Sequence, residues 1–210
     1  MKTHLEKVAP MDIERRSFEI ITEELPHPIK EALAPIVKRV IHTTADFDYA
    51  DNLCFSPGVL DQALAAISGG ATIVTDTTMA LSGINKRLLA KHGGKVCCFI
   101  ADEDVAAAAR QNGTTRSAES MVKAASIEGP VIFAIGNAPT ALVQLYDMIA
   151  AKQISPALII GVPVGFVNVV QAKELIMQTQ VPYIVARGRK GGSNVAAAIC
   201  NALSYLLGRD

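Results

Sequence analysis

The chain has no excess of either charge, no long apolar run and only four cysteines, and each shortage removes a class of function. Twenty Lys and Arg residues balance 20 Asp and Glu, so nothing in the net charge draws the protein to nucleic acid or to an acidic membrane surface; neither is expected as a partner. The apolar stretches fall well short of the ~20 residues that a bilayer-spanning helix needs. Met1-Lys2-Thr3-His4-Leu5-Glu6 lacks the apolar core of a signal peptide, and the expected compartment is the cytoplasm. Cys54, Cys97, Cys98 and Cys200 form no Cys-x-x-Cys pair, and adjacent Cys97 and Cys98 are expected to point to opposite faces of one strand. Neither a metal site nor a disulfide framework is expected. Missing too are P-loop spacing and a Gly-x-Gly-x-x-Gly fingerprint: the first strand leads to Asp76-Thr77-Thr78-Met79, with no glycine until Gly83.

What remains is a chain rich in buried-strand signals. Half of its 210 residues are apolar, enough for one sizeable core. Five short β-branched runs, Ala71 to Thr75, Lys95 to Ile100, Val131 to Ile135, Ala157 to Ile160 and Tyr183 to Ala186, read as buried parallel strands. Helical stretches lie between them, among them Asp102 to Gln111, Pro139 to Lys152 and Asn168 to Thr179. Three more precede the first strand: Asp12 to Leu25 with Asp12 as N-cap, Pro28 to about His42, and Ser56 to Ser68. The alternation predicts an α/β fold: a three-layer, doubly wound, mostly parallel sheet with helices on both faces. Residues 1–11 are expected to form a flexible extension and residues 12–210 a single domain.

Polar residues gather at the expected carboxyl ends of the strands, where open α/β sheets hold ligands. Gly136-Asn137-Ala138-Pro139-Thr140 follows a strand and opens a helix, and should present free amides. Asp76-Thr77, Val162-Pro163-Val164-Gly165-Phe166 and Gly188-Arg189-Lys190-Gly191-Gly192-Ser193 occupy equivalent places, and Thr114-Thr115-Arg116-Ser117 comes one helix after the second strand. On residue type alone Asp76 reads equally as the cap of the next helix, and Gly188 to Ser193 as a plain flexible loop. His42 falls in the last turn of a helix whose apolar positions are Ile29, Leu33, Ile36, Val37, Val40 and Ile41. A helix C-terminus favours imidazolium by roughly 0.3–1 kcal/mol when exposed. A general acid and a surface C-capping histidine both fit that position, and Asp46 and Asp48 are near enough in sequence to orient the ring. No serine, cysteine or lysine has a context that marks a nucleophile.

Five segments taken in order, Arg39-Val40-Ile41-His42-Thr43-Thr44, Thr115-Arg116-Ser117, Ile135-Gly136-Asn137-Ala138-Pro139-Thr140-Ala141-Leu142, Ile160-Gly161-Val162-Pro163-Val164-Gly165-Phe166-Val167 and Gly188-Arg189-Lys190-Gly191-Gly192-Ser193, resemble the precorrin-8X methylmutase family of cobalamin biosynthesis. The resemblance runs from about Ile13 to the last helix. It departs at Gln171-Ala172-Lys173-Glu174, where the family pattern has an acidic residue and a serine before Lys-Glu.

The resemblance implies an isomerase that moves a methyl group from C11 to C12 of the corrin macrocycle of precorrin-8X or cobalt-precorrin-8, giving hydrogenobyrinate or cobyrinate, with no cofactor. A sigmatropic shift within one molecule asks for one well-placed acid and a rigid cradle. His42 is the implied acid. The acetate and propionate arms of such a tetrapyrrole call for cations and hydroxyls, for which Arg15, Arg16, Ser17, Thr115, Arg116, Arg189 and Lys190 are the candidates. Asp76, Thr77, Asn137, Ala138, Thr140 and Gly165 complete the implied contacts. A homodimer with the macrocycle near the subunit interface is also implied. Two other classes stay open: a non-catalytic corrinoid carrier, and a nucleotide-dependent α/β enzyme.

Overall fold

The computed structural model describes residues 6–208. Six strands form one sheet: β1 (Leu53–Phe55), β2 (Thr72–Thr75), β3 (Lys95–Cys97), β4 (Val131–Ile135), β5 (Leu158–Gly161) and β6 (Tyr183–Ala186), in the spatial order β1-β6-β5-β4-β2-β3. The central pairings are parallel, as β-branched runs joined by helices require. Strand β1 is the exception. It pairs antiparallel with β6, Cys54 opposite Val185, and it escaped the sequence pattern because three residues at a sheet edge carry no periodicity. Strand β3 is shorter than the run from Lys95 to Ile100, for it too is an edge and pairs only as far as Cys97 with Val74.

Side chains alternate across the sheet and build two cores. On one face Ile73, Ile132, Ala134, Ile160 and Ile184 meet α2 (Ala34–Thr44), α4 (Val59–Ser68) and α11 (Ser193–Leu206). On the other Val74, Phe133, Ile135, Ile159 and Val185 meet α8 (Arg116–Ala124), α9 (Pro139–Ala150) and α10 (Val169–Met177). The doubly wound three-layer expectation therefore holds. The remaining helices are α1 (Ile13–Glu24), α3 (Tyr49–Asn52), α5 (Thr78–Gly83), α6 (Lys86–Ala90) and α7 (Glu103–Asn112). None of the described helices is long and apolar enough to cross a membrane.

Local chemistry fixes several helix ends. Helix α2 starts at Ala34 rather than near Pro28, because Pro35 suits the first turn. It stops at Ala45, whose left-handed backbone (φ 53°) lets its N–H return to the Ile41 carbonyl. Asp12 stands at the N-cap position of α1, but its carboxylate caps nothing: it pairs with Arg15 at 3.1 Å. Residues 1–5 of the expected extension lie outside the described residues; within the rest of it, Pro10–Asp12 make a 3₁₀ turn and Glu6 pairs with Arg16 at 3.0 Å.

Candidate active site

The chain runs from β2 outward to β3, then crosses back to β4 and continues through β5 and β6, so the winding reverses between β2 and β4. Loops leaving these two strands diverge to opposite faces, which in open α/β sheets opens a ligand crevice. Here the crevice is filled from within. Asp76, 1 % exposed at the end of β2, accepts the backbone N–H groups of Gly136 (2.9 Å), Asn137 (2.8 Å) and Ala138 (2.7 Å). Burial pushes its carboxyl above the ordinary range, against the pull of these donors. The expectation of free amides at this turn is thus overturned, since an internal carboxylate takes the place that a ligand anion takes elsewhere. Nor does Asp76 cap the next helix. That is done by Thr77, which accepts from Ala80 N–H at 3.1 Å and whose hydroxyl meets Ser193 Oγ at 2.8 Å. Helix α11 enters so close that a Cβ on Gly136 would lie 2.6 Å from Ser193 Cα, and only glycine fits there.

Around this closed centre stands an exposed rim. Thr115 caps α8 by accepting from Ala118 N–H, and its hydroxyl meets that of Thr140 at 2.8 Å, tying α8 to the first turn of α9. Arg116 follows it, exposed, and Asn137 is exposed beside Thr140. Gly165, with φ 152°, donates its N–H to the Arg189 carbonyl at 3.1 Å. The Arg189 guanidinium lies 5.4 Å from the centre of the Phe166 ring, itself 82 % exposed.

His42 lies in the α1–α2 layer, in the last turn of α2. Its ring stacks on Phe18 with centroids 5.4 Å apart and planes 13° from parallel. Ser17, Ile20, Ile21, Glu24, Ile41, Ala45 and Phe47 line a cavity of about 220 Å³ with it. Phe18 also borders a groove of about 410 Å³ shared with Pro35, Lys38, Arg39, Tyr205 and Leu206. Arg39 sits between the rings of Phe18 and Tyr205, at 4.8 and 5.0 Å, and is paired with Glu14. Asp46 and Asp48 do not serve His42: both bind Lys190, at 2.7 and 2.5 Å. That link holds the Asp46 carboxyl below the ordinary aspartate range and draws the α2–α3 turn onto the strap after β6.

The candidate cations thereby divide. Arg15 is taken by Asp12 and Glu19, Arg16 by Glu6 and Glu19, and Lys190 by Asp46 and Asp48. Arg116 and Arg189 have no carboxylate partner among the described residues, so they stand ready for an anionic ligand. Ser17 spends its hydroxyl proton on the Ile13 carbonyl at 2.8 Å. The structure brings Ser17 and His42 together along one cavity, and Asp76, Thr77, Asn137 and Ala138 together at the switch point.

Residues 12–206 match the family model for precorrin-8X methylmutase. The chain belongs to that family. It is 46% identical over 200 residues to the cobalt-precorrin-8 methylmutase of Priestia megaterium, covering 95% of this chain and 89% of that one. Against the cobalt-precorrin-8 methylmutase of Salmonella typhimurium it is 47% identical over 208 residues, with 94% and 96% covered. The solved structure of the precorrin-8X methylmutase from Thermus thermophilus superposes with a TM-score of 0.84 at 40% identity, covering 93% of this chain and 95% of that one. Membership makes this chain an isomerase of cobalamin biosynthesis, and the reading as a non-catalytic carrier falls away.

Two residues that shape these surfaces, Phe18 and Lys173, are not candidates on sequence alone. Phe18 carried no signal, since one aromatic on an amphipathic helix looks like core. Lys173 did carry one: Val169, Ala172, Lys173 and Ile176 recur at the i, i+3, i+4, i+7 spacing of a buried stripe, and a lysine stands on it.

Proposed function

We propose that this isomerase moves the C11 methyl group of precorrin-8X or cobalt-precorrin-8 to C12, giving hydrogenobyrinate or cobyrinate, with His42 as the proton donor. The observation that carries the reading is the state of His42. It is exposed at the end of α2, held flat against Phe18, bordered by a cavity, and has no carboxylate hydrogen-bonded to its ring among the described residues. Stacking fixes the ring plane while leaving its nitrogens open to a ligand, the geometry that a proton donor needs. Protonation of the macrocycle assists the 1,5-shift of the methyl group, and loss of one proton from the ring restores neutrality, so substrate and product have the same composition.

The carboxylate arms fall to the unpaired Arg116 and Arg189, with Thr115, Thr140 and Asn137 as neutral donors. Asp76 supports this rim from beneath by holding the α9 turn through Gly136, Asn137 and Ala138, and Thr77 ties the start of α5 to α11. Arg15, Arg16 and Lys190 reach an arm only by exchanging their present acidic partners; in this reading they tune the field around the site. The cavity beside His42 and the groove beside Phe18, at about 220 and 410 Å³, lie at or below the lower part of the roughly 300–1,000 Å³ range typical of small-molecule sites. A corrinoid with its arms exceeds them. A homodimer that pools two such surfaces over one macrocycle meets the size of the ligand, and the exposed α1–α2 layer carrying His42 is the face offered to it. A nucleotide-dependent enzyme is disfavoured by the same geometry, because the α9 amides that would bind a pyrophosphate already hold Asp76.

The test is His42→Asn, which changes volume little. Single-turnover absorbance assays with both the metal-free and the cobalt-containing substrate should show a rate loss of roughly 10²–10⁴, while product binding stays near the wild type. A near-normal rate, or equal loss of rate and affinity, refutes the acid role.

A further inference from the structure

Lys173 is 1 % exposed on α10, and no carboxylate among the described residues pairs with it. Burial pushes its ammonium down to about 8. A methionine or leucine would pack on this stripe without that desolvation. The difference lies in hydrogen bonds: Nζ donates to the carbonyls of Gly188 and Lys190, both at 2.8 Å. Charged or neutral, a lysine amine has at least two protons for these two acceptors.

Those carbonyls flank Arg189. The carbonyl between them, that of Arg189 itself, accepts from Gly165 N–H at 3.1 Å. Three residues on, Gly192 N–H donates to the Val162 carbonyl at 2.8 Å, and Gly191 passes so near that a Cβ there would lie 2.1 Å from the Val162 oxygen. The strap from Gly188 to Gly192 is therefore pinned along its backbone to α10 and to the loop after β5. What it leaves free is the Arg189 side chain, exposed, without an acidic partner among the described residues and lying over the exposed Phe166 ring. Fixed backbone with a free guanidinium beside an apolar plane is the arrangement that receives a carboxylate arm and the edge of its ring system at low entropic cost.

We propose that Lys173 is a positioning residue for substrate binding: it clamps the strap through the Gly188 and Lys190 carbonyls so that Arg189 and Phe166 are presented together. It touches no substrate and has no part in the methyl shift. This inference rests on the reading above that the ligand is a carboxylate-bearing tetrapyrrole.

The test is a double-mutant cycle in the full chain with Lys173→Met, Arg189→Met and the combination. Hydrogenobyrinate and cobyrinate binding is read by absorbance titration, and KM and kcat by turnover. Lys173→Met removes both donors at similar length. It should raise the product Kd and KM about tenfold, equivalent to about 1.4 kcal/mol, with kcat within about twofold because uniform binding alone is lost. Once Arg189 is absent, adding Lys173→Met should weaken binding by less than about twofold, because the clamp then has nothing left to position. Losses that multiply in the combined variant, or a fall in kcat at unchanged KM, overturn the proposal. If Lys173→Met does not fold, Lys173→Arg enters the same cycle: it keeps donors but displaces the strap by its greater length, and the same non-additivity is expected. A wild-type protein that binds neither corrinoid overturns the functional reading and this one with it, whereas wild-type binding with multiplicative losses overturns this one alone.

Discussion

Replacing Asp76 by alanine removes the acceptor that satisfies three backbone N–H groups at the start of α9. Hydrogen bonds to a charged group contribute about 1.5–3 kcal/mol each, so the three bonds at 2.7–2.9 Å have a gross worth of roughly 4.5–9 kcal/mol. Part of that is offset in the native protein by desolvation, which is why burial raises the carboxyl of Asp76 despite its donors. Loss of a partner from a buried charged network costs about 3–5 kcal/mol in comparable cases, and that is the expected effect here. For a chain of this size it corresponds to a Tm decrease of roughly 6–20 °C. Asp76→Asn, which keeps one acceptor oxygen but turns an NH2 toward one of the donors, should lie between alanine and wild type. Urea unfolding followed by circular dichroism measures both, with the midpoint moving and the m-value unchanged. A loss below about 1 kcal/mol for Asp76→Ala, the worth of an ordinary neutral hydrogen bond, would refute the view that this carboxylate organises the switch point.

Arg116→Ala should weaken corrinoid binding roughly tenfold or more, as expected for a lost charge-assisted pair, whereas Arg110→Ala, one helix earlier, should leave it unchanged; equal effects in a titration would remove Arg116 from the site. Acid should loosen the contact between the α2–α3 turn and the strap. The Asp46 carboxyl is lowered by Lys190, so its contribution is complete above the ordinary aspartate range and is lost as pH falls through the lowered value. A stability–pH profile of Lys190→Met should lack that acid limb, and an identical profile would show that the pair is not coupled to folding.

The sequence by itself determined the layers and the identity of the chemistry. Strands β2, β4, β5 and β6 are buried on both faces, so each is a short run of apolar and β-branched residues that water excludes whatever its neighbours are. The helices between them follow from 3.6-residue periodicity and from caps such as Thr115. Rare combinations such as Asn137-Ala138-Pro139-Thr140 with Val162-Pro163-Val164-Gly165-Phe166 carried the family. The edges were not legible. Strand β1 exists because β6 offers it an unpaired edge, a fact that no three-residue window contains. The pairing of charges was also undecided by residue type. Arg15, Arg116, Arg189 and Lys190 look alike in one dimension, and only the fold assigns acids to Arg15 and Lys190 while leaving Arg116 and Arg189 without one among the described residues. Most consequential is Asp76. Sixty residues of chain separate it from Gly136, and whether the turn's amides meet a ligand or an internal carboxylate depended on which strand lies beside β2. Hydrophobic periodicity is a local property and survives in the sequence; the partner of a buried charge is set by distance in space, which only the tertiary structure decides.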